Sequence, residues 1–211
     1  MTDNTGQVPR VAIKGIAFGI VLMALFTVVW LGIASSALSG IYYWLCLGVL
    51  LTVLVGFVVY AIRLFIKAKE FPRVKPEDKA EGSRMQMWYG IIFGGEGLLI
   101  GATCGILGAR GLDSYIVPSI ALIVGLHFYP MTAVFHRKFD YFTGTWTTVI
   151  AISAISLEAR KMISIPQVFL MVGLGTAAAT IAYGIFMISE AEKYKARGKL
   201  YISGDYGNAS R

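Results

Sequence analysis

A chain of 211 residues that is 56% hydrophobic and only 15% charged, with a mean hydropathy of +0.68, lies outside the soluble range, where about 25% of residues are charged. The formal charge of +7 would suggest nucleic acid in a soluble protein. Here the basic residues fall between apolar runs and read as topology signals, so no nucleic-acid partner is expected.

A helical span needs about 20 apolar residues to cross a hydrocarbon core of about 30 Å, and the chain is best counted in such spans. Residues 1–10 form a short polar, cytoplasmic N-terminal tail. The first apolar run, 11–34, exceeds the ~7–15-residue core of a signal peptide and predicts an uncleaved helix. The second run, 41–66, opens on the aromatic belt Tyr42-Tyr43-Trp44 and closes on Arg63 and Lys67. Between 67 and 85 lies a basic loop with interspersed acidic residues, where Pro72 and Pro76 argue against one long helix.

The third run, 87–109, starts at the interfacial pair Trp88-Tyr89. The fourth, 115–134, contains Pro118 and Pro130. His136 and Asp140 follow at i, i+4 around Arg137 and Lys138, and read as an interface cluster rather than a metal site. The fifth run, 141–157, is the weakest span, because Thr143, Thr145, Thr147, Thr148, Ser153 and Ser156 make it polar. Such hydroxyls can bond their own helix backbone, so the segment still spans if neighbours shield it. The sixth run, 165–189, carries Pro166 in its first turn, where proline is tolerated. Residues 190–211 form a basic C-terminal tail whose end, 204–208, is expected to be mobile.

Six spans put both termini on one side. Sixteen of the 19 basic residues then lie on that side, leaving Arg110, Arg160 and Lys161 opposite. The expectation is an all-α, six-transmembrane-helix bundle in the plasma (inner) membrane with both termini cytoplasmic. Cys46 and Cys104 stand in separate runs without a CxxC, which argues against a zinc framework or redox pair and for inert thiols.

Function concentrates in the third and fourth runs. Gly90, Gly94, Gly97, Gly101, Gly105 and Gly108 fall within an arc of about 80° on one helix, a small-residue stripe suited to close helix packing. Glu96 sits roughly 140° from the centre of that stripe. With one face shaped for a helix and the other bearing a carboxylate, the third helix is expected in the middle of the bundle.

Glu96 and His127 are equidistant from the turn joining their helices, which gives them similar depth, about 15–20 Å from that turn. Pro130 cannot donate to the Leu126 carbonyl, so a carboxylate, an imidazole and a freed carbonyl are candidates for one polar pocket.

Intramembrane ionisable residues often mark proton or cation pathways. One reading is therefore a small proton- or cation-coupled transporter or permease using Glu96 and His127. In the structural alternative, a neutral Glu96 is merely hydrogen-bonded, and the protein is a non-transporting assembly or accessory subunit. Its glycine stripe would then hold a partner helix or a second copy. Intramembrane enzyme chemistry is least favoured, since HExxH, GxSxG and P-loop signatures are all missing, and no cofactor or metal is expected.

Overall fold

The computed structural model describes residues 10–71, 79–135 and 137–208. Among these residues the chain forms six α-helices and no strand: α1 (Arg10–Ser35), α2 (Gly40–Lys67), α3 (Lys79–Ala109), α4 (Ile116–Phe135), α5 (Lys138–Ala159) and α6 (Ile165–Asn208). Short 3-10 turns, Ala68–Glu70 and Asp113–Tyr115, follow α2 and precede α4. Helices α1, α2, α3, α4 and α6 contain stretches long and apolar enough to cross a membrane, the mark of a multi-pass membrane protein. Helix α5 does not qualify, because its threonines and serines lower its hydropathy.

Turn chemistry explains two of the sharp reversals. Helix α3 closes through Gly111 at φ 66°, with Leu112 N–H on the Leu107 carbonyl at 2.9 Å and Gly111 N–H on that of Gly108 at 3.0 Å. Helix α5 closes through Lys161 at φ 54°, with Met162 N–H reaching Leu157 O at 3.0 Å and Lys161 N–H reaching Glu158 O at 2.9 Å. Both are Schellman caps, which satisfy carbonyls that a helix end leaves open.

Two segments are more helical than their composition predicts. Helix α3 begins at Lys79, inside the segment read as a loop. Helix α6 continues to Asn208, so the 204–208 end expected to be mobile is helical.

Packing centres on α1 against α6, with α2 on α1, α4 on α5, and α5 on α6. Helix α3 packs on α4 and on the 3-10 turn before it, which corrects the expectation of a central third helix. A Cβ added at any of its six stripe glycines would meet nothing within 4 Å. The close approaches fall on other glycines. A Cβ on Gly173 of α6 would stand 2.7 Å from the Trp30 carbonyl of α1, and one on Gly144 of α5 would stand 2.9 Å from the Gly125 carbonyl of α4.

The exterior is apolar: Trp44, Leu98, Phe18 and Ile185 are all more than half exposed. The interior, by contrast, holds the hydroxyls of Thr27, Thr143, Thr147, Thr176 and Thr180. An apolar surface around a partly polar core is the distribution expected where lipid is the solvent. At one end of the bundle Arg10 donates to the carbonyls of Lys69 at 2.5 Å and Phe71 at 3.2 Å, tying the start of α1 to the end of α2.

Candidate functional site

Glu96 projects from the one face of α3 that meets protein. Its Oε1 lies 3.3 Å from Nδ1 of His127 on α4, and the two side chains are only 6% and 7% exposed. The same Nδ1 is 2.6 Å from the Val124 carbonyl oxygen, one turn back on α4. Two lone pairs would repel at that distance, so Nδ1 carries the proton and donates to Val124. Glu96 Oε1 stands beside that donor as a second, longer acceptor. In the neutral imidazole, Nε2 is then the basic nitrogen.

Aromatic rings enclose the pair. Phe93 meets the His127 ring edge-on at 5.4 Å, Phe128 lies 4.4 Å from it, and Tyr89 stacks on Phe93 at 4.5 Å. The Phe93 and Phe128 rings offer no hydrogen-bonding group of their own, and the Val124 carbonyl remains the shorter partner of His127.

The expected carbonyl is a different one. Val124, not Leu126, supplies the backbone oxygen at His127. Leu126 is 49% exposed and Pro130 is also exposed, so both side chains lie on the outward face of α4. Helix α4 runs on through Pro130 to Phe135. Gly90, Gly94, Gly97, Gly101, Gly105 and Gly108 face open space rather than the site.

Asp140, which the sequence places only in an interface cluster, is a second buried carboxylate. It lies in the first turn of α5, is fully buried and accepts a 2.6 Å hydrogen bond from the Tyr183 hydroxyl of α6. Arg137 Nη1 donates to the same tyrosine oxygen at 3.4 Å. Oδ2 of Asp140 is buried without a hydrogen-bond partner. His136, the other half of the i, i+4 pair, lies outside the described residues. The signal that could have found Asp140 is the spacing of 140, 143, 147, 151, 154 and 158, which puts small or polar residues on one α5 face, all of them buried.

At the far end of that face Glu158 accepts a 3.0 Å bond from Lys161. The Lys161 ammonium, helped by the Ser114 hydroxyl, holds the Glu158 carboxyl below its ordinary range, and Glu158 in turn holds Lys161 above its own. Among the described residues no three His, Cys, Asp or Glu side chains are grouped as a metal would require. No protein-family model, curated protein or solved structure matches the chain.

Proposed function

We propose that this protein is a small proton- or cation-coupled transporter or permease of the plasma (inner) membrane, with Glu96 and His127 as its coupling site. The observation that carries the reading is the buried contact itself, a carboxylate and an imidazole 3.3 Å apart. An isolated charge is costly in hydrocarbon, and such residues are rare in spans unless they handle ions or protons. A proton arriving on Nε2 makes an imidazolium beside Glu96, and the pair can hold or release protons as a unit.

The proposal includes six spans with both termini cytoplasmic. Helix α5 starts shortly after α4 in the chain and ends shortly before α6, and its 22 residues extend about 33 Å, which favours a full crossing in spite of its hydroxyls. The basic residues concentrated at the end that carries both termini favour the cytoplasmic assignment.

The test is proton flux into proteoliposomes, read by trapped pyranine under a valinomycin-driven potassium diffusion potential. Wild type should acidify or alkalinise the lumen according to the sign of the potential, and Glu96→Gln and His127→Ala should abolish that response. Equal flux in wild type and both folded variants would sink the coupling role.

One observation favours a second reading, an assembly or accessory subunit. The glycine stripe of α3 faces open space, beside Leu98 at 76% exposure. A partner helix or a second copy of this chain would fit against such a face. Crosslinking through cysteines placed along the stripe, with flux absent from the purified protein, would favour it.

A further inference from the structure

The α5–α6 seam is antiparallel, and two bonds set its register: Tyr183 to Asp140 at 2.6 Å, and Trp146 Nε1 to the Gly175 carbonyl at 2.9 Å. Equal rise along the two helices then pairs residues at common depth. Moving inward from Asp140 and Tyr183, the next level holds Thr143 and Thr180. The one after holds Thr147 and Thr176, and beyond it come Ala151 and Val172.

The three polar levels differ in how well they are satisfied. In the middle level Thr143 donates to the Phe139 carbonyl and Thr180 to that of Ala177, while Thr27 of α1 lies 2.8 Å from the Thr180 hydroxyl. The outer levels are incomplete. Asp140 Oδ2 has no partner, and neither do the hydroxyls of Thr147 and Thr176. All three residues are 1% exposed or less. An unmet buried hydroxyl or carboxylate oxygen bears its full desolvation cost, so three along one seam call for an occupant.

The spacing selects that occupant. Asp140 and Thr147 are seven residues apart on one helix, about 10 Å, whereas an ion's ligands all lie within about 2–3 Å of it. One cation therefore cannot serve both ends. Water can, because each molecule needs only 2–4 polar partners and can pass bonds along a file.

We propose that the α5–α6 seam between Asp140 and the Thr147–Thr176 level holds a short, blind file of water that hydrates the Asp140 carboxylate and the two threonine hydroxyls. Ala151 and Val172, both fully buried, close its inner end. At its mouth the described charged and titratable groups are Asp140, Tyr183 from α6 and Arg137 from the turn before α5. The file stands apart from Glu96 and His127: Phe128 lies between the two sites, 4.4 Å from the His127 ring and 5.6 Å from that of Tyr183.

The experiment uses silver ion, which reacts only with water-accessible thiols. In a background carrying Cys46→Ala and Cys104→Ala, the variants Thr147→Cys, Thr176→Cys and Ala151→Cys are exposed to silver in proteoliposomes. They are then unfolded and titrated with a fluorescent maleimide. Silver should block Thr147→Cys and Thr176→Cys at least an order of magnitude faster than Ala151→Cys, and equally so when Glu96→Gln is added. Equal rates at all three positions, or none at the threonine positions, overturn the file.

A sign test covers the case in which the cysteine variants misfold. Thr147→Val and Thr176→Val should lower the thermal midpoint if the hydroxyls hold water. A raised midpoint means that the hydroxyls are dry and overturns the proposal.

Discussion

Gly125 and Gly144 cross so closely that a Cβ on Gly144 would stand 2.9 Å from the Gly125 carbonyl oxygen, and one on Gly125 would stand 2.8 Å from the Thr148 amide nitrogen. Backbone cannot move aside as a flexible side chain can. Gly144→Ala should therefore destabilise the bundle by about 1–3 kcal/mol, the range for overpacking. Gly101→Ala on α3 meets no atom within 4 Å and should stabilise by about 0.5–1 kcal/mol through helix propensity. Unfolding in mixed micelles measures both. A loss at Gly101 comparable to that at Gly144 would mean that another helix covers the stripe.

The contact between Glu96 and His127 should appear as energetic coupling. In a double-mutant cycle with Glu96→Gln and His127→Phe, the interaction energy should lie within about 0.5–3 kcal/mol, as for contacting residues. Unfolding free energies of the four proteins give it directly. Strict additivity would mean that the two side chains merely lie near each other.

Glu158 and Lys161 give a pH dependence of known sign. The folded-state carboxyl of Glu158 titrates below its ordinary value, so its stabilising contribution is complete above the unfolded value of about 4.3. That contribution is lost as pH falls through the lower folded value. For Lys161, raised by the same pair, the contribution is present below the ordinary lysine value and lost as pH rises through the raised one. Thermal midpoints across the acid range should fall less steeply for Glu158→Gln than for wild type, and an identical acid limb would contradict the pairing.

The charge asymmetry predicts sidedness. With native cysteines removed, Lys69→Cys should react with an impermeant maleimide from the cytoplasmic face and Arg110→Cys from the opposite one. Labelling of both from the same face would mean that α3 does not cross the membrane.

Six helices were legible because apolar runs, interfacial aromatics and turn residues all mark where a chain enters and leaves hydrocarbon. The depth match of Glu96 and His127 was legible too, since a hairpin with a short turn fixes equal rise. Rotation was not. When lipid and protein interior are equally apolar, a periodic stripe such as that of Gly90 to Gly108 does not say whether a face meets a helix or the bilayer. The glycines that admit a neighbouring backbone, Gly125, Gly144 and Gly173, form no long stripe in their own helices. Asp140 was hidden for another reason: it follows Arg137 and Lys138 and reads as solvated, whereas burial depends on Tyr183, 43 residues away.

Attachment of α3 through α4 has a mechanical consequence. The remaining five helices pack around α1 and α6 without it, so detaching α3 leaves their shared core intact. Such an element sits at the low end of a protein's local stabilities and opens before the rest. A swing of α3 away from α4 would separate Glu96 from His127 while Asp140 and Tyr183 stay together. These two buried carboxylates thus rest on different supports, Asp140 on the packed helices α5 and α6, and Glu96 on the packing of α3 against α4.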